Sequence, residues 1–317
     1  MIQVLKTVKL TSNKILALVV IVTLSVGILT PAFSAPVQKT LVIIDTGFDT
    51  SIPLIGDAVI FEACILSWYS CPNGSNFQEG TGSAALPTNI SNTSNMTHGT
   101  QMASIALQTY PYQKIVLIRL IAYNSRGDRM PVFDSTVVQA FKWITSKREE
   151  LNIGAVAMAQ GYHPTSSNKN YCPKNTELEK LILDLKIKNV VVFLPTGNAA
   201  DKTRIDWPAC IPAAIAIGAI SAKGQIADYS NYDRNLVDFY TPGNSTALLP
   251  GGTTTSAVGT SVATLIAASY WLNVANLKPE LTAPAISQLF RDSGQMIFDS
   301  KYRYGREMQI KNIVPGQ

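Results

Sequence analysis

K-I-V-L-I-R-L-I, Lys114 to Ile121, opens the part of the chain whose alternating period decides the fold. This run reads as a strand, Asp134 to Glu150 as a helix, Gly154 to Ala159 as a strand, Glu177 to Lys188 as a helix and Asn189 to Leu194 as a strand. Strand and helix in turn imply βαβ units, and hence an α/β fold on a doubly wound, mostly parallel sheet with helices on both faces. Upstream, Thr40 to Ile44 is a short apolar run rich in β-branched residues and reads as another buried strand.

Four stretches at the ends of these elements could carry chemistry. The first strand runs into D-T-G-F-D, Asp45 to Asp49. That puts a carboxylate at the C-terminal edge of the strand, where open α/β sheets place functional groups, although aspartate close to glycine is also a common turn. H-G-T-Q-M-A-S-I-A, His98 to Ala106, opens an apolar helix. The dipole at a helix N-terminus opposes protonation of a histidine and favours the neutral state a general base needs. The chain has two histidines, and the other, His163, falls in a polar loop. P-T-G-N, Pro195 to Asn198, follows a strand, and its asparagine could donate to a carbonyl oxygen or serve as a turn residue. G-T-S-V-A-T-L-I-A-A, Gly259 to Ala268, presents Ser261 at the head of a helix. The free amides there favour the negative charge that develops when a serine oxygen attacks a carbonyl; taken alone, the stretch is also an ordinary capped core helix.

Lys6, Lys9 and Lys14 precede an apolar run from Ile15 to Leu29, then Pro31 and A-F-S-A, Ala32 to Ala35. This is the pattern of a secretory signal, residues 1–34, cleaved after Ser34. A retained anchor is the alternative, but the run is shorter than the roughly 20 residues that span a bilayer. Cleavage removes three lysines and no acid, so the formal charge falls from +5 to +2 and gives no argument for a nucleic-acid partner. The 283 residues left of 317, residues 35–317, suit one large α/β domain. In an exported chain, four cysteines suggest disulfides. Three pairings are possible; Cys64 with Cys71 is the local one and leaves Cys172 with Cys210. A zinc site fits less well, because neither histidine falls in a usual ligand spacing with the cysteines. From Cys64 to Thr97 the chain is rich in Ser, Asn, Gly and Thr, with sequons at Asn73, Asn89, Asn92 and Asn95, which predicts an exposed loop region.

Asp45 in D-T-G, His98 in H-G-T, Asn198 in T-G-N and Ser261 in G-T-S stand in the order acid, base, oxyanion donor, nucleophile. With that order, and each at the boundary of an element, the chain resembles the subtilisin family of serine proteases. The resemblance covers nearly the whole mature chain. G-A-V-A-M-A-Q-G-Y, Gly154 to Tyr162, resembles the family's substrate-pocket strand, and the T-P-G at Pro242 resembles the stretch leading to its nucleophile. The resemblance implies a secreted serine endopeptidase working through an acyl-enzyme. Ser261 attacks, His98 moves the proton, Asp45 orients and stabilises the imidazolium, and Asn198 with the backbone N–H of Ser261 binds the oxyanion. It also implies that a substrate peptide is added as a strand between Ser125, Arg126 and Gly127 on one side and Ala159, Gln160 and Gly161 on the other. The substrate side chain then enters a pocket bounded by Pro195, Thr196 and Gly197. Gln160 and Tyr162 stand where the family usually has leucine and glycine, and set this pocket apart.

Polypeptide substrates are the partners implied, with no cofactor. A peptide ligase or an esterase would use the same four residues, whereas a catalytically silent binding module of this fold would need a triad member missing, and none is. Between Ala106 and Lys114 stands only L-Q-T-Y-P-Y-Q, without a carboxylate, so the calcium site common in the family beside the active-site helix is not expected; no metal ligands are singled out elsewhere, and a calcium site elsewhere in the chain stays open. About ten residues separate the cleavage point from Asp45, which leaves no room for the pro-segment many secreted subtilisins carry. Folding is therefore expected to proceed unaided or with a helper or inhibitor in trans. The expected location is extracellular or periplasmic, with no stable membrane association after signal cleavage.

Overall fold

Leu41 and Ile43 of the first strand face one side of the sheet, Val42 and Ile44 the other, and all four are wholly buried. That is the mark of a central strand in a parallel sheet covered on both faces, and it explains why such strands read as continuous apolar runs. The computed structural model describes residues 38–68, 70–87, 96–163, 172, 174, 176–299 and 303–314. The expected signal segment, residues 1–34, and the sequons at Asn89, Asn92 and Asn95 lie outside the described residues.

The first half of the chain forms β1 (Thr40–Asp45), α1 (Pro53–Gly56), β2 (Val59–Ile65), β3 (Phe77–Glu79), α2 (His98–Thr109), β4 (Lys114–Arg119), α3 (Asp134–Lys147) and β5 (Ile153–Met158). The second half adds α4 (Glu177–Ile187), β6 (Val191–Pro195), β7 (Ile215–Ile220), β8 (Phe239–Pro242), a hairpin of β9 (Asn244–Leu248) and β10 (Thr254–Val258), α5 (Thr260–Leu277), α6 (Ala283–Ser293), and a last hairpin of β11 (Met296–Phe298) and β12 (Tyr304–Arg306). Eight strands make the main sheet in the order β3-β2-β4-β1-β5-β6-β7-β8. All pairs in it are parallel except β2 with the edge strand β3. The expected doubly wound α/β fold is thus the fold found. Strand order runs out from β1 to one side through β4 and β2, then to the other through β5, which places the C-terminal end of β1 at a topological switch point.

Helices α2 and α5 cover one face and α3 and α4 the other. Helix α5 is enclosed nearly all round, with Leu265, Trp271 and Leu272 at 1% exposure or less; each such side chain contributes roughly 1.5 to 3 kcal/mol by burial. No helix of the described residues is long and apolar enough to cross a membrane. Cys64 is joined to Cys71, and Cys172 to Cys210, the pairing expected from the sequence.

The predicted loop from Cys64 onward needs correction. Cys64 is buried within β2, and Phe77–Glu79 pairs with that strand as an antiparallel edge. The polar composition around Phe77–Glu79 concealed β3. Glu62 interrupts the apolar character of β2, yet it is buried, and its two carboxylate oxygens accept the N–H groups of Gly82 and Ala84 at 2.8 and 3.1 Å.

Candidate active site

Asp45 ends β1 and is wholly buried. Its Oδ1 accepts the N–H of Thr46 at 2.6 Å, and both its oxygens lie 2.8 Å from Nδ1 of His98, the first residue of α2. Gly99 permits this approach of helix to strand end. A Cβ at that position would meet the carbonyl oxygens of Gly47 and Thr46 at 2.7 and 2.9 Å. Two threonines lock the joint: Gly99 N–H donates to Thr46 Oγ1 at 2.8 Å, and Asp49 N–H donates to Thr100 Oγ1 at 3.0 Å. The stretches D-T-G-F-D and H-G-T are therefore two halves of one interlocked turn.

The helix dipole does not decide the state of His98, contrary to the expectation from sequence. Burial lowers the imidazole pKa, but the Asp45 charge and hydrogen bond outweigh burial and raise it above the ordinary 6.5, against an opposing pull from the Arg129 cation. A full carboxylate in contact exceeds the half-charge of a helix end. The His98 side chain is 35% exposed, and among the described residues its Nε2 makes no hydrogen bond. Gln160 was expected only in the pocket wall, yet it also holds the acid. Its Nε2 donates to Asp45 Oδ1 at 2.9 Å, while its Oε1 accepts from Arg129 at 2.6 Å.

Ser261 is the second residue of α5, whose N-cap residue, Gly259, has no side chain to cap the helix itself. The N–H of Thr260 donates to Asn198 Oδ1 at 2.9 Å and the Thr260 hydroxyl bonds the same oxygen at 3.0 Å. With Oδ1 facing these donors, the other end of the amide, Nδ2, lies beside Gly259, 3.3 Å from where a Cβ there would stand. Among the described residues neither that Nδ2 nor the N–H of Ser261 has an acceptor, so two donors stand free next to the serine. The Ser261 hydroxyl itself donates to Ala159 O at 3.2 Å. Ala159 and Gln160, neighbours in the chain, thereby touch Ser261 and His98 respectively, the latter through a 3.3 Å contact to Nδ1. Such resting hydrogen bonds are often loose before substrate arrives, and rotation about the serine Cα–Cβ bond redirects the hydroxyl.

The remaining expected residues divide into two groups. Ala159, Gln160 and Gly161 follow β5, while Pro195 ends β6 and Thr196 and Gly197 follow it; the second wall is tied to α5 by a 3.2 Å bond from Gly197 N–H to Thr260 Oγ1. Ser125, Arg126 and Gly127 are not the extended edge that was expected. They form a turn in which Asn124 Oδ1 accepts the N–H groups of Arg126 and Asp128 at 2.9 and 3.0 Å, and Asn124 O accepts that of Gly127 at 3.0 Å. An asparagine side chain competes with strand pairing in this way. Past the turn, Arg129 reaches the site through its 2.6 Å bond to Gln160 Oε1. Beside Gln160 and Gly161 lies a largely apolar cavity of about 290 Å³, lined by Leu120, Ile121, Met130, Val132 and Trp207 among others. Among the described residues no group of three His, Cys, Asp or Glu side chains could hold a metal ion.

A model of the subtilase family matches residues 38–305. The chain belongs to the subtilase family. It is 28% identical over 182 residues to subtilisin NAT of Bacillus subtilis subsp. natto, a match covering 55% of this chain and 45% of that protein. It is 30% identical over 151 residues to subtilisin of Bacillus pumilus, covering 45% and 51%. The chain thus spans about half the length of these curated subtilases. A solved lanthipeptide protease superposes with a TM-score of 0.65 at 17% identity, covering 86% of each chain, which speaks for the fold.

Proposed function

We propose that this subtilase is a secreted serine endopeptidase that cleaves peptide bonds through an acyl-enzyme. The observation that carries the proposal is the convergence, around Ala159 and Gln160, of a serine hydroxyl, an Asp-paired histidine with a free Nε2, and two unpartnered donors. Ser261 Oγ attacks the scissile carbonyl and gives its proton to His98 Nε2. The oxygen of that carbonyl becomes an anion held by Asn198 Nδ2 and the Ser261 N–H, and the imidazolium is stabilised by Asp45. Collapse breaks the C–N bond as His98 returns the proton to the leaving amine. Water, deprotonated by the same histidine, then attacks the ester and releases the acid. Two disulfides support an oxidising location outside the cytosol. The walls after β5 and β6 would receive the side chain preceding the cleaved bond, and the cavity at Leu120 and Val132 an apolar side chain further upstream.

Hydrolysis of a mixed peptide library by the chain and by Ser261→Ala tests the proposal. Loss of about ten-thousand-fold or more is expected for the variant, with circular dichroism unchanged, as for subtilisin nucleophile removal. Full activity in Ser261→Ala would overturn the assignment.

A further inference from the structure

A second group of ionisable side chains reaches the same cleft. The backbone of Asp206, between β6 and β7, is held from both sides. Its N–H donates to Thr196 O at 2.8 Å, and its neighbour Trp207 exchanges hydrogen bonds with Tyr162 at 3.0 and 3.1 Å. Residue 206 therefore sits between the wall 159–161 and the wall 195–197. A Cβ on Gly161 would lie 3.5 Å from the Asp206 Cβ, and one on Gly197 would fall 2.2 to 2.3 Å from its carboxylate atoms. Gly197, at φ +99°, is the residue type that leaves room for that carboxylate. The slot opens beside the reacting groups, since Ala159 O accepts the Ser261 hydroxyl and Gly197 precedes Asn198.

The carboxylate is anchored without being used up. Oδ1 accepts from Asn231 Nδ2 at 2.8 Å and lies 2.9 Å from His163 Nδ1. Oδ2 has no hydrogen-bond partner among the described residues and is not sealed from solvent, although the side chain is only 13% exposed. Burial raises the pKa of this carboxyl despite the bonds from His163 and Asn231, as for a charge short of partners. The nearby Asp201 is already matched by Arg204 at 2.9 Å. A largely buried carboxylate with one oxygen fixed and the other unbonded, packed against Gly197 of the pocket wall, rewards a cation, whereas an apolar occupant of that pocket would strip it of water and leave it unpaired.

We propose that Asp206 is the specificity-determining residue of this slot and that it selects a lysine or arginine side chain immediately before the cleaved bond. This inference rests on the peptidase function proposed above. The test is kcat/KM on peptides identical except for arginine, lysine, citrulline, leucine or phenylalanine at that position. Citrulline keeps the shape of arginine and removes its charge. Arginine or lysine is expected to exceed citrulline and leucine by at least about thirtyfold, the cost of losing one partner of an occluded charge pair. In Asp206→Asn the arginine-to-citrulline ratio should fall to within about threefold, while a serine-directed phosphonate still labels Ser261. Citrulline or leucine equal to arginine in the wild-type chain would overturn the inference, as would an unchanged ratio in Asp206→Asn. If that variant does not fold, the wild-type comparison decides alone. A chain that neither labels at Ser261 nor cleaves any of the peptides overturns the peptidase function as well; a labelled chain that prefers leucine overturns this inference only.

Discussion

The molecule contains two histidines, each with Nδ1 within 2.9 Å of an aspartate, and only one is suited to move protons to a substrate. In the pair of His98 and Asp45, both carboxylate oxygens lie on Nδ1 and Nε2 is left free. In the pair of His163 and Asp206, the other nitrogen faces Asp201 at 3.4 Å, so carboxylates occupy both sides of the ring. A second difference is what stands alongside. His98 opens a helix next to Gln160 and the serine's acceptor, whereas His163 and Asn231 together fix one oxygen of Asp206. The contrast teaches that a His-Asp contact is no mark of catalysis by itself; a free second nitrogen and a nearby nucleophile make the difference.

The largest test of that contrast is a matched pair of substitutions. His98→Gln is expected to cut kcat/KM about ten-thousand-fold or more, as losses of a catalytic histidine do. His163→Gln should stay within about tenfold and act through peptide preference instead, because it removes a hydrogen bond and not a reacting group. Comparable losses in both variants would break the distinction. A smaller effect is expected at Asn198, the proposed oxyanion donor. Asn198→Ala should lower kcat about 100- to 1,000-fold, the loss known for a single oxyanion donor of a subtilisin, with KM little changed.

The smallest effect is a shift in pH dependence. His98 must be neutral to accept a proton, so kcat/KM should rise with pH through an inflection above 6.5, where the Asp45 pair has moved it. Because the Arg129 cation lowers this pKa, Arg129→Gln should move the inflection upward; no movement, or a downward one, would argue against their coupling. The sign for stability is opposite to that for activity. A raised folded-state pKa means that the pair's contribution is complete below 6.5 and is lost as pH rises through the shifted value.

Much of this was legible because the relevant signals are local. Alternating periods carry β4, α3, β5, α4 and β6, and D-T-G, H-G-T, T-G-N and G-T-S each combine a reactive side chain with the small residues that let backbones close on one another. Strands β2 and β7 carry no such signal. In β2 a buried Glu62 breaks the apolar run, and in β7 the sequence I-A-I-G-A-I is small and follows a proline-rich turn. The grouping around Asp206 was invisible for a different reason. His163, Asp201, Asp206 and Asn231 are up to 68 positions apart, and only the pairing of the two pocket walls brings them together. Gln160 stood out in sequence as a departure, but nothing local says that its amide would reach Asp45. Nothing local in the sequence shows that Ser125 to Gly127 form a turn in which the Asn124 side chain, and not a second strand, takes the N–H groups of Arg126 and Asp128.

The central claim is that Ser261 is the nucleophile served by His98 and not by any other histidine. Its most direct test is titration with a fluorescent serine-directed phosphonate, followed by mapping of the labelled peptide. One label per chain is expected, on Ser261 within the peptide from Gly259 to Ala268, abolished by His98→Gln and retained in His163→Gln. A label on another residue, or labelling that survives His98→Gln but not His163→Gln, would contradict the account.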